Sequence, residues 1–357
     1  MKLLRISSID KLQPISSCVV VALLSVFSLN VSAAGYAVQK VNAPGVAVRM
    51  SSAGYLTGTY QVKCSWLGGQ PKHRICWYAP WTYDGQSVTK IQWPIDWNLV
   101  YSLGINDSLE LVGREYRGSL TAGGWLYSGG VVNYSGSLPG GGGSLLAAIN
   151  NNGVAVGTGQ TSAHIGRAVT FQNSGGSYVL SEIPAFDANT PTTGTDINDL
   201  GDIAGTYTSL GDGRQHAFAF TNGNAIEIPD IAGTNYCQAL RISQVGSNGQ
   251  LWVAGNCGDR GFIYQVDTAE LTELYNLDGL SGGVSVQSVN GLGEAVGTVA
   301  GKAVVWAPGN STALDLNQFA PKNATFTRGT DINDTGTILA VDIDLSGNAT
   351  NYLLSPM

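Results

Sequence analysis

Trp66, Trp77, Trp93 and Trp97 are half of the eight tryptophans, and they crowd one short stretch of chain with Lys72, His73 and Arg74. Exposed indole rings stack on sugar faces or seat peptide side chains at low entropy cost. A Lys-His-Arg tip suits a carboxylate or another anionic group. The same rings packed between sheets would be inert core. His73, Tyr101 and Asp96 are also the candidate acid–base groups if the chain catalyses anything. Of the other histidines, His216 lies in a strand-like run and reads as structural, and His164 reads as a solvated loop residue. No nucleophile elbow, H-E-x-x-H pair or phosphate loop occurs. Gly140 to Gly143 lacks the following helix or lysine that phosphate binding needs, and reads as a flexible link. Asp196, Asp199 and Asp202 suggest a calcium loop, but repeat units 1, 3 and 6 lack this set of carboxylates, so no metal and no cofactor is expected.

These residues need a frame, and composition bounds it. Charged residues make up only 12% of the 357, and glycine numbers 48. That balance suits many short, two-side-buried strands joined by tight turns. The net charge of −7 disfavours a nucleic-acid partner, which would need a basic patch. Residues 1–34 combine Lys2 and Arg5, an apolar run Val19–Leu29 too short to span a bilayer, and Ser32-Ala33-Ala34, and read as a signal peptide cut near Ala33/Ala34. The chain is therefore expected to be secreted or periplasmic, with no membrane span. Beyond Cys18, four cysteines remain: Cys64, Cys76, Cys237 and Cys257. In an exported chain they favour disulfides; three pairings are open, and sequence locality favours Cys64–Cys76 with Cys237–Cys257.

A pattern Ile-Asn-x-x-Gly-x-x-x-Gly recurs in seven units with substitutions, such as Met50-Ser51, Ile242-Ser243 and Ala340 in the last position of the seventh, and is clearest as Ile197-Asn198 with Gly201 and Gly205. Its anchors fall at 50, 105, 149, 197, 242, 289 and 332, spaced by 55, 44, 48, 45, 47 and 43 residues. That period is one four-stranded blade. The motif reads as a hairpin turn, with Asn or Asp bonding its own backbone and glycine supplying positive φ. After each hairpin comes a strand ending in an aromatic or aliphatic pair, such as Trp125-Leu-Tyr127, Phe218-Ala-Phe220 or Val304-Val-Trp306. Gln215-His-Ala-Phe-Ala-Phe220, following this hairpin, resembles the extracellular HAF repeat family across nearly the whole chain after residue 34, although the literal His-Ala-Phe triplet occurs once. The resemblance implies export and repeat architecture, and no settled activity.

The expected fold is all-β: residues 35–357 form a seven-bladed β-propeller of four-stranded antiparallel blades. The last unit stops at its third strand near Tyr352, and Tyr36–Val41 resembles a fourth strand, so the N-terminal strand should complete the last blade and close the ring. The residues just before the anchors are Arg49, Gly104, Ala148, Asp196, Arg241, Ser288 and Asp331. Charges on innermost strands should be paired, so inter-blade ion pairs Asp196–Arg241 and Asp331–Arg49 are expected. Long loops alternate with the short hairpins and should share the opposite face, where binding usually resides. The sequence thus points to a binding or interaction module for a glycan or an extracellular protein on that face. A polysaccharide lyase or hydrolase on the same face and a structural surface protein are the alternatives; oligomeric state is left open.

Overall fold

The computed structural model describes residues 35–66, 74–93, 98–117 and 120–357. The expected signal peptide, residues 1–34, lies outside them. The described chain is built from 28 strands and one short 3-10 turn. They form a seven-bladed β-propeller, each blade of four antiparallel strands.

Blade 1 comprises Ala47–Met50, Leu56–Trp66, Arg74–Tyr83 and Val88–Lys90; blade 2 comprises Asn98–Ile105, Leu111–Arg117, Leu120–Ser128 and Val131–Tyr134. Blades 3 to 6 begin at Ser144, Thr192, Cys237 and Val284. Blade 7 combines Arg328–Ile332, Ile338–Ile343 and Ala349–Pro356 with the N-terminal strand Tyr36–Val41. Tyr36 pairs with Pro356 and Val41 with Asn351, an antiparallel register that closes the ring. Closure leaves no terminal blade face to cap.

The core lies between blades. Trp81, Trp125, Phe218, Phe262 and Trp306 of the third strands are fully buried. The recurring glycines do two different jobs. Gly201 sits at φ +86 and makes the hairpin turn. Gly205 does not need positive φ: an added Cβ there would fall 2.4 Å from the Phe218 ring, so this glycine makes room for the third-strand aromatic. Gly58, Gly113 and Gly255 stand in the same relation to Trp81, Trp125 and Phe262. Of the two motif glycines, the first thus serves the turn and the second the packing.

Two features bear on function. Each of the seven innermost strands shifts register just before its anchor, for example between Gly194 and Asp196 and between Gly329 and Asp331. A bulge re-aims the next side chain, here the residue before the anchor. Blades 1 and 2 also join into one sheet through a parallel pairing of Tyr78 with Leu99, and no other two blades merge into one sheet among the described residues.

Candidate functional site

The bulges turn Arg49, Asp196, Arg241, Ser288 and Asp331 into an axial cavity of about 80 Å³ ringed by the seven hairpins. That volume takes several waters, and falls well short of the roughly 300 Å³ at which small-molecule pockets begin. Arg49 crosses the axis. One of its terminal nitrogens pairs with Asp196, three blades away, and its Nε lies 3.8 Å from Asp331 in the adjoining blade. Asp331 also accepts from Ser288 Oγ at 2.6 Å and from the Met50 amide at 2.9 Å. Asp196 accepts from the Ile242 amide at 3.0 Å. Burial pushes the Asp196 carboxyl up to about 6 despite the opposing pull of Arg49. Burial also works against the Arg49 charge, but Asp196 and Asp331 outweigh it and hold that group above the ordinary arginine value.

Of the two expected ion pairs, Arg49 does face Asp331. Asp196–Arg241 is not formed. Asp196 reaches blade 5 through the Ile242 amide, and its charge is met by Arg49, the longer reach across the axis winning over the neighbour. The Arg241 guanidinium instead donates to the Leu240 carbonyl at 3.0 Å.

The motif asparagines bind the blades together, a role the turn reading missed. Asn106, Asn150 and Asn198 each donate their side-chain amide to a carbonyl of the next hairpin, at Asn150, Asn198 and Ser243. Asn290 reaches Asn333, and Asn333 reaches Ser52 across the closure. Their Oδ1 atoms meanwhile accept amides within their own turns, as Asn198 does from Leu200 and Asp202. The signal was in the sequence. Asn recurs at one position in five of seven units, whereas a turn alone tolerates Asp or Ser there.

On the opposite face, the two long central strands of blade 1 run out to Trp66 and start again at Arg74, and are joined by the Cys64–Cys76 disulfide. The second disulfide, Cys237–Cys257, links two directly opposed, fully buried residues of blade 5. Lys72, His73, Asp96 and Trp97 lie outside the described residues, as do the side chains of Trp66 and Arg74.

The tryptophan platform expected from the sequence is not met where the structure can be read. Trp77 is buried, with the Lys63 ammonium 5.1 Å from its ring. Trp93 is half-buried, edge-on to Trp125 at 4.6 Å, and its indole N–H donates to the buried Glu115 carboxylate at 3.2 Å. Indole surface next to a blade seam is more stable packed than wet.

Tyrosines take the half-exposed positions instead. Tyr78 stacks on Tyr101 at 5.9 Å, Tyr116 meets Tyr101 edge-on at 6.3 Å, and the Arg114 guanidinium lies 5.8 and 5.3 Å from the Tyr101 and Tyr116 rings. The cluster spans the merged blades 1 and 2. The Nε of Arg114 is buried without a hydrogen-bond acceptor. Burial raises the Tyr101 hydroxyl pKa, which suits a stacking or donating role and works against Tyr101 as a base.

No family model matches the chain, and no curated protein matches it. Solved structures do resemble it. Virginiamycin B lyase from Staphylococcus aureus superposes with a TM-score of 0.55 at 13% identity, covering 90% of this chain and 100% of that one. The extracellular domain of the BT4673 hybrid two component system from B. thetaiotaomicron gives 0.50 at 12% identity, over 89% of this chain and 40% of that one. The present chain thus spans about two fifths of that relative's length. A chain of the mitotic checkpoint complex gives 0.50 at 10% identity, over 99% and 98%. At such identities the likeness is one of fold.

Proposed function

We propose that the chain is an exported binding or interaction module that recognises a glycan or an extracellular protein with the long-loop face of blades 1 and 2. The single observation that carries this reading is the half-exposed cluster of Tyr78, Tyr101 and Tyr116 around Arg114. Tyrosine rings offer rigid contact area with few rotors to freeze, and a stacked guanidinium adds direction. Two disulfides support an oxidising compartment, in keeping with a cleaved segment 1–34.

A glycan array probed with the chain from residue 35, followed by a product assay on each hit, tests the reading. Tyr101→Ala and Arg114→Ala should each weaken a hit about tenfold or more, as loss of an interface anchor does, while the far-ultraviolet spectrum is kept. An array without hits, followed by an equally empty screen of extracellular proteins, would remove the reading. Undiminished binding by both variants would move the site elsewhere. Turnover of a bound glycan would favour the lyase or hydrolase alternative.

A further inference from the structure

Blade 4 carries a second concavity on the long-loop face, away from the tyrosine cluster. Its opening measures about 530 Å³ and is lined by Phe186, Tyr207, Asp212, His216, Glu227 and Asp230, with Leu210 at the lip. The volume falls within the range of ligand sites. His216, expected to be a structural strand residue, is its centre. Asp230 lies 3.0 Å from its Nδ1, and Asp212 lies 3.4 Å from its Nε2. Tyr207 stacks on the imidazole at 5.2 Å, and Phe186 covers the other face of Tyr207 at 4.3 Å.

Two carboxylates thus flank one imidazole, and a third, Glu227, takes the Tyr207 hydroxyl as its hydrogen-bond partner. The Arg214 backbone amide donates to Asp212 at 3.0 Å, but its guanidinium relieves the charge little: it stays 4.0 Å from Asp212, between groups that are both 43% exposed, and its other nitrogen donates to the Thr234 carbonyl. The Tyr207 hydroxyl is pushed up to about 12, by burial first and then by Glu227, Asp230 and Asp212, which registers the negative field inside the concavity. Both faces of Tyr207 are already covered, so a sugar ring finds no free tyrosine face there. The half-buried Phe186 and the Leu210 side chain, 65% exposed, offer an apolar wall instead.

An apolar wall leading to carboxylates that outnumber the cationic side chains beside them fits one class of guest, a cation on a hydrocarbon stem. We infer that the blade 4 concavity receives a basic side chain, arginine or lysine, of a polypeptide partner. The stem lies against Phe186 and Leu210, and the cation is held by Glu227 and Asp230. The overall charge of −7 steers such a partner toward the protein.

N-acetyl-arginine amide and its neutral isostere N-acetyl-citrulline amide are titrated into the chain from residue 35, with the Tyr207 and His216 side-chain signals followed by NMR. The arginine probe should shift both signals saturably, with affinity falling as salt is raised. The citrulline probe should leave them in place. Glu227→Gln and Asp230→Asn should each weaken the arginine probe about tenfold, near 1.4 kcal/mol. Glu227 is solvent-exposed, so its variant should fold even if Asp230→Asn does not. Tyr101→Ala should bind the arginine probe unchanged, which separates this site from the one on blades 1 and 2. An equal response to both probes, no saturable response to arginine, or full affinity in Glu227→Gln would overturn the inference.

Discussion

The hairpin face and the long-loop face are made by the same seven units, yet they treat polar groups in opposite ways. On the hairpin face, Asn198 spends its side chain within its own turn and on the Ser243 carbonyl of the next blade. Asp331 divides its oxygens between Ser288, Met50 and Arg49. Apart from the Arg241 Nε, which is buried without an acceptor, the polar groups there are committed to ring closure and leave little for a ligand. On the long-loop face, Arg114 keeps an unpartnered Nε above half-exposed tyrosines, and Glu227 and Asp230 face an open concavity. Polar groups that still face solvent on a rigid scaffold are what recognition needs. The structurally richer face is therefore the poorer candidate for binding.

The largest effect that would test this contrast is expected at Arg49. Its removal leaves two buried carboxylates, Asp196 and Asp331, facing each other with no cation between them. Breaking a buried pair from one side costs about 3–5 kcal/mol, so Arg49→Ala should lose that much in urea unfolding. A loss below about 1 kcal/mol, the range of an exposed pair, would mean that the axis is wetter than the described packing implies.

The two disulfides sharpen the comparison. Their loops are similar, with separations of 12 and 20 residues, so the entropic contribution of each is about 3 kcal/mol. Burial differs: Cys237 and Cys257 are sealed in the core, whereas Cys64 and Cys76 are half-buried on the extended strands of blade 1. Cys237→Ser with Cys257→Ser also places hydroxyls in apolar surroundings and should cost the whole protein about 3–5 kcal/mol. Cys64→Ser with Cys76→Ser should show mainly as faster amide exchange near those two residues, with a smaller change in global unfolding. Equal global losses would mean that the extended strands of blade 1 unfold together with the core.

Much of this frame was readable before any coordinates. Repeat spacing, the third-strand aromatics and the likeness of Tyr36–Val41 to a fourth strand sufficed for seven blades and their closure, because each depends on local pattern alone. The sites were harder. Whether Trp77 is core or platform depends on the seam between blades, which no local pattern encodes. Asp196 meets Arg49 rather than Arg241 because side-chain reach across the axis decides, and anchor order does not record it. His216 looked like an ordinary strand residue because Asp212 and Asp230, close in sequence, become partners only through the strand pairing that sets Tyr207 beside it.

A more modest loss is expected from the motif asparagines. Asn198→Ala removes the bonds within the turn and the bond to Ser243, and leaves buried partners unmet, for about 1–2 kcal/mol. Asn276 makes a similar turn, accepting from Asp278 and Leu280, but its bonds are exposed and stay within its own loop. Asn276→Ala should therefore cost about 0.5 kcal/mol. Chemical denaturation of the two variants in parallel measures the difference, which is the inter-blade and burial contribution. Equal costs would mean that the asparagine serves the turn alone.

The gentlest effect is a change of slope with pH, at most about 1.4 kcal/mol per pH unit, and its sign is informative. Burial holds the folded Asp196 carboxyl near 6, above the ordinary aspartate value of 3.8. Below the lower value both folded and unfolded chains keep the proton. Between the two values the folded chain keeps it and the unfolded chain has lost it, so raising the pH costs stability; above about 6 the loss is complete. Asp84, Asp212, Glu273, Asp315 and Asp344, all held below their ordinary values, add stability as pH rises past them. Their contribution is common to the parent chain and to Asp196→Asn, so it cancels in the difference. Unfolding free energies of the two, measured from pH 4 to pH 7, should diverge up to about pH 6 and then run parallel, the variant gaining on the parent as pH rises. If the parent gains instead, the Arg49 pairing outweighs burial at Asp196, and the axis is held by charge attraction more than by the backbone amides around it.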